Sequence, residues 1–210
     1  MIIIKTPQEI EVIREGGRRL ATVLHKVKDM VAPGLSTKDL DLYAEKLIRE
    51  MGDVPAFLNY QPEGASKPFP ASLCVSVNDE VVHGIPRKNR ILKEGDIVSI
   101  DSGVKHKGLF TDMALTVPVG KISSADAKLM ETTLEALHAG IDAARVGNTV
   151  GDIGYAIESH VRRVKNPKYG IVEVLSGHGV GKAIHEDPYI PNFGKKGTGV
   201  KLVPGMIVAL

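Results

Sequence analysis

The 210-residue sequence carries 27 Lys and Arg against 25 Asp and Glu, a formal net charge of +2, with the two signs interspersed. That balance provides no basic stripe of the kind a nucleic-acid surface needs, and no apolar run reaches the roughly 18 residues of a membrane-spanning helix. The one cysteine, Cys74, excludes an intrachain disulfide and fits a reducing compartment. Residues 1–5 are too short and wrongly flanked for a signal peptide, so the expected location is the cytoplasm.

Thr6-Pro7-Gln8-Glu9 reads as a helix start, with Thr6 as cap, Pro7 in the first turn and Glu9 completing a capping box. Apolar residues then recur at helical period from Ile10 to Val31, and Pro33-Gly34 stops the helix. Ser36 or Thr37 opens a second helix with Leu40, Tyr43, Ala44, Leu47 and Ile48 on one face; Gly52 ends it. Residues 60–70, rich in Pro, Gly and Ser, read as a loop. Strand-like runs follow at 73–77, 97–101 and 110–117. A third helix starts at Ser123 or Ser124, Gly147 breaks it, and a fourth carries Ile153, Ala156, Ile157 and Val161. Further strands are expected at 171–175 and 206–210. One offset of 113 residues links Gly34 to Gly147, Leu40 to Ile153 and Ile48 to Val161, which points to an internal duplication. Helix pairs are common enough that coincidence is the alternative. Nothing reads as a linker between separate domains.

Three patterns carry chemistry. The runs 97–101 and 110–117 form a predicted hairpin. With its tip centred between His106 and Lys107, Asp101 lies directly opposite Asp112. Opposed residues share a face with Cβ atoms about 4.5–5.5 Å apart, and two carboxylates so close repel each other unless a shared proton or bound cations offset the charge. Two solvent-facing acids on an edge hairpin are the alternative. The second pattern is Gly177-His178-Gly179-Val180-Gly181, a histidine between glycines at a strand end, where another group can approach its ring. It fits neither a dinucleotide-binding loop nor a Walker A loop. The third is a pair of turn histidines, His185 before Glu186-Asp187-Pro188 and His83 before Gly84-Ile85-Pro86. Carboxylate oxygen and imidazole nitrogen together suit a divalent metal. His25, His138 and His160 fall within helices as structural residues, and His106 is expected exposed at the hairpin tip.

His83-Gly84-Ile85-Pro86, the Asp101/Asp112 pair and Gly177-His178-Gly179-x-Gly181-x-x-x-His185-Glu186-x-Pro188 occur in the order and approximate spacing of type I methionine aminopeptidases, and the sequence resembles that family from about residue 3 to residue 210. The resemblance implies an α/β (α+β) pita-bread fold, with pseudo-twofold halves of helices packed on a curved antiparallel sheet. It implies that residues 1–210 form a single catalytic domain that removes the initiator methionine from nascent chains in the cytoplasm. It also implies two divalent metal ions (Co, Mn, Fe or Zn) held by Asp101, Asp112 and His178, with His83 and His185 contacting substrate at the scissile bond. Phe57, Tyr60 and Phe69 match positions lining the methionine pocket, although residues 61–68 are longer than in the shortest members, and Ile184 stands where many members have phenylalanine. The expected partners are polypeptide N-termini beginning with Met, at the ribosomal exit; the expected state is a monomer with no membrane and no specific nucleic acid.

Family members continue the pattern Pro204-Gly205-Met206-Ile207-Val208-Ala209-Leu210 with a glutamate ligand, and a second glutamate ligand follows farther on. The sequence ends before both. The expectation is therefore an incomplete domain whose 210-residue chain is inactive. The rival readings are an Xaa-Pro aminopeptidase-like hydrolase and a non-catalytic binding protein on the same fold.

Overall fold

A computed structural model describes residues 1–62 and 64–210. In chain order the elements are α1 (Pro7–Met30), α2 (Thr37–Glu50), β1 (Val54–Pro55), β2 (Leu73–Val77), β3 (Ile97–His106), β4 (Leu109–Pro118), α3 (Ser124–Ala143), α4 (Val150–Arg163), β5 (Ser176–Gly179), β6 (Glu186–Pro191) and β7 (Val208–Ala209). Residues 11–126 form one compact unit; residues 1–10 with 127–210 form the other.

In the first unit β3 is the central strand. It pairs antiparallel with β4 along one side and with β1 and then β2 along the other. Val98, Ile100 and Val104 alternate onto one face of β3 and join Leu73, Val75 and Val77 of β2, Leu20, Leu24 and Val27 of α1, and Leu40, Ala44 and Ile48 of α2 in one buried core. Burial of that stripe, at about 25 cal/mol per Å² of apolar surface, holds the helices on the sheet. In the second unit a smaller core joins Ala136 of α3, Ile153 and Ile157 of α4, Ile190 of β6 and Leu202; the sheet order is β6-β5-β7.

The predicted duplication has a structural counterpart in each unit. Ser36 and Thr149, 113 residues apart, both cap the following helix through a reciprocal box with Asp39 and Asp152. Gly34 and Gly147 precede them at φ 93° and 94°. The segment that closes each cap is also repeated: Gly34 N–H donates to Leu92 O and Thr37 N–H to Arg90 O, while Gly147 N–H donates to Leu202 O and Val150 N–H to Val200 O.

The hairpin departs from the expected register. Its tip is Lys107-Gly108, both at positive φ (47° and 86°), as a two-residue type I′ turn requires. The ladder then runs without a bulge from His106↔Leu109 to Ile97↔Pro118, placing Asp112 opposite Gly103 and Asp101 opposite Ala114. The two acids are therefore diagonal neighbours, not directly opposed. The slip is of two residues, an even number, so both remain on the same face. His106 is not exposed: it alternates onto the inner face, 5% accessible, with Nδ1 2.7 Å from the Asp53 carboxylate. Residues 171–175 form no strand; Glu173-Val174 is a turn and Val174 is 91% exposed. Pairing begins at Ser176: β5 pairs with β6, and His178 and Gly179 pair with β7 as well, and β-propensity without a neighbour does not make a strand.

Candidate active site

In the first unit the outer face of β3 and β4 carries Ser99 beside Thr116, hydroxyls 2.8 Å apart, and Lys105 with its ammonium 5.1 Å from the Phe110 ring centroid. Between those two cross-strand pairs lie Asp101 and Asp112. On the other side of β3, Cys74 of β2 is directly opposite Asp101. Burial, then the charges of Asp101, Asp112 and Asp41, push the Cys74 thiol well above its ordinary range. Negative potential from both acids thus reaches one point on this face, which is the electrostatic setting that a cation offsets.

The aromatic loop leaves from the same place. β1 pairs with Val104 and Lys105, and Ala56 N–H donates to Gly103 O at 2.9 Å. β2 takes up the edge again with Leu73 opposite Ser102. Residues 57–62 and 64–70 therefore belong to an excursion from the edge of β3 beside the acids. Tyr60 N–H donates to Phe57 O, Asn59 N–H to Phe69 O, and Phe69 N–H to Tyr60 O, all at 2.8–2.9 Å. These bonds hold the backbone at Phe57, Tyr60 and Phe69 together at the base of the loop; Glu63 lies outside the described residues. His83, exposed and at φ 59°, is fixed through its neighbour: Val75 N–H donates to Gly84 O and Gly84 N–H to Ser76 Oγ. A non-glycine residue at such φ is held there by its surroundings at a cost of about 1–3 kcal/mol, a pattern common at functional sites.

In the second unit His178 sits on the central strand β5, where a bulge separates it from Gly179. The flanking glycines serve the backbone. A Cβ at Gly177 would meet the Ala209 carbonyl of β7, and one at Gly179 would meet the Asp187 carbonyl of β6. His178 Nδ1 lies 2.9 Å from Gly179 O. A carbonyl only accepts, so Nδ1 carries the proton and Nε2 bears the ring's lone pair, making it the atom of this imidazole that can ligate a metal. The His185 ring, on an exposed turn, packs edge-on against His178 with centroids 4.5 Å apart and planes at 69°. Beneath it Ile184 is 2% exposed. One oxygen of Glu186 accepts from the backbone N–H groups of Lys182 and Ala183, and the other pairs with Lys5.

Residues 11–210 match the model of metallopeptidase family M24. Methionine aminopeptidase 1 of Bacillus subtilis is 45% identical over 210 residues, covering 100% of this chain and 81% of the relative. Methionine aminopeptidase structures from Rickettsia prowazekii and Thermotoga maritima superpose with TM-scores of 0.91 and 0.90 at 36% and 38% identity, covering 98% and 99% of this chain and 79% and 80% of theirs. The chain belongs to metallopeptidase family M24. Membership on this branch makes it a divalent-metal hydrolase with the pita-bread fold, and the donor set fits: hard carboxylate oxygens on one sheet face and an imidazole whose Nε2 bears the lone pair. This M24 peptidase also has features near its candidate residues that single-residue patterns did not reveal: Cys74 facing Asp101, the Lys5–Glu186 pair beside His185, and Asp41, fully buried, whose carboxylate accepts from the N–H groups of Ser72 and Leu73 at 2.8 and 3.0 Å.

Proposed function

We propose that the chain is a methionyl aminopeptidase that removes the initiator methionine from nascent proteins and peptides. The observation that carries this is 45% identity across the chain to a methionine aminopeptidase, with Asp101 and Asp112 on one face of an unbroken ladder. Asp101, Asp112 and His178 Nε2 are the proposed ligands of two divalent ions. Bound, the ions supply Lewis-acid polarisation and water activation near neutral pH. The acids offer oxygens to the cations, and the proton on His178 Nδ1, held by Gly179 O, keeps its ring in one orientation. His185 and His83 donate hydrogen bonds to the oxyanion or the peptide nitrogen. Phe57, Tyr60 and Phe69 receive the unbranched thioether side chain, for which an aromatic lining is suited.

Residues 1–210 are read as belonging to one catalytic domain, acting in the cytoplasm as a monomer near the ribosomal exit. Among the described residues no helix is long and apolar enough to cross a membrane. The test is peptide turnover by the full-length protein loaded with Mn²⁺ or Co²⁺. Met-Ala-Ser loses methionine, whereas N-acetyl-Met-Ala-Ser and Ala-Pro-Ser remain intact. Preferential cleavage of Ala-Pro-Ser would favour an Xaa-Pro hydrolase instead, and no turnover of any peptide would favour a binding protein.

A further inference from the structure

Three ion pairs tie residues 1–9 to the segment around His185: the Met1 ammonium with Asp187, Lys5 with Glu186, and Glu9 with Lys182. The outer two are open to solvent, and exposed pairs contribute little. The middle pair is different, with side chains only 1% and 3% accessible. Two charges in the interior require hydrogen-bond partners, and each has more than its ion-pair partner. The Lys5 ammonium also donates to Ile3 O at 3.1 Å, and the Lys5 N–H donates to Gly205 O at 2.9 Å. The second oxygen of Glu186 accepts from Lys182 N–H and, at 3.0 Å, from Ala183 N–H.

A buried ion pair is a poor device for stability alone, since apolar residues of similar size often stabilise as well or better. What an apolar residue cannot replace is direction. The carboxylate of residue 186 reaches back to two amides at 182 and 183 and closes a ring around Ala183, Ile184 and His185, and Lys5 fixes the carboxylate from the opposite side. Ile184 anchors the turn inward, leaving His185 outward with its ring against His178.

We propose that Lys5 and Glu186 are positioning residues for His185: the buried pair sets the turn, and the turn sets the imidazole. This rests on His185 acting at the scissile bond. Misplacement of such a group by about 1 Å costs about 10²-fold in rate.

The test compares Lys5→Met, Lys5→Met with Glu186→Gln, and the control Asp187→Asn in the full-length protein. The readouts are kcat and KM on Met-Ala-Ser, bound Mn²⁺, and the ¹H–¹⁵N imidazole resonances of His178 and His185. Lys5→Met lowers kcat about 10²-fold with KM changed less than about threefold, leaves bound Mn²⁺ unchanged, and shifts or broadens the His185 resonances. The double variant, whose Gln oxygen still accepts from the two amides with no unpaired buried charge, recovers part of the loss and remains testable if Lys5→Met does not fold. Asp187→Asn changes nothing measurable. A lower melting temperature with kcat and His185 resonances unmoved would overturn the proposal, as would an equal effect from Asp187→Asn. Should the unmodified protein release no methionine, the functional reading fails, and the imidazole resonances alone decide the positioning claim.

Discussion

The two helix–helix–strand segments of the chain follow one plan with different contents. Each has a helix, a glycine near φ 93°, a boxed hydroxyl cap, a second helix, and a return segment that closes the cap through a buried leucine, Leu92 or Leu202. At matching positions inside the helices the solutions diverge. Asp41 of α2 extends a carboxylate to the amides of Ser72 and Leu73. Its counterpart in α4 is Gly154, and there the Phe193 carbonyl comes so close to the helix that no Cβ fits. Val27 and Ala44 in the first core correspond to Gly140 and Ile157 in the second, with large and small exchanged. The strands diverge as well: acids lie on a regular ladder in one unit, histidines at a bulged strand in the other. Cap and turn chemistry, which fixes the path of the chain, is repeated; the side chains that pack and react are not.

The largest stability effect is expected where the difference is greatest. Asp41→Ala leaves two buried N–H groups without their acceptor, at about 1–3 kcal/mol for each. Gly154→Ala forces a Cβ toward a carbonyl at about 1–3 kcal/mol in total. Urea denaturation of both variants measures this, and a smaller loss for Asp41→Ala than for Gly154→Ala would contradict the account of that position.

A smaller effect tests the sameness of the plan. Ser36→Ala and Thr149→Ala should each cost about 1 kcal/mol, and by similar amounts. Hydrogen bonds from Ser36 and Thr149 hold the carboxyls of Asp39 and Asp152 below their ordinary value of 3.8. A depressed folded pKa stabilises above the unfolded value, and the contribution disappears as pH falls through the lower folded value. Carbon-detected titration should therefore show both aspartates ionising below 3.8 in the intact protein, and each returning towards it when its capping hydroxyl is removed. Unequal behaviour of the two would mean that the repeat is one of sequence only.

The repeated plan was legible because caps and glycines are local signals, readable within three or four residues of each other. The face shared by Asp101 and Asp112 was legible too, but the pairing was not. A tip at His106-Lys107 lacks the paired positive φ that Lys107-Gly108 provides, and the face is shared in either register because the two differ by an even number of residues. Strand β6 was hidden by Pro188 and Pro191, which an edge strand tolerates. The apolar residues 171–175 misled in the opposite direction, having strand composition but no strand to pair with. Nothing near Lys5 in the sequence marks Glu186 as its partner, 181 residues away. His106, at the apparent tip, is buried because β3 continues past Gly103 to reach Asp53.

Metal content tests the central claim most directly. The full-length protein and its Asp101→Asn, Asp112→Asn, His178→Ala and His185→Ala variants would be loaded with Mn²⁺, desalted and measured by mass spectrometry of the bound metal. The account predicts that the first three variants lose metal in parallel with methionine release, whereas His185→Ala keeps its metal and loses turnover by about 10²–10³-fold, the range for a hydrogen-bond donor to developing charge in the transition state. Full metal retention by Asp112→Asn or His178→Ala, or loss of metal by His185→Ala to the same extent, would contradict it.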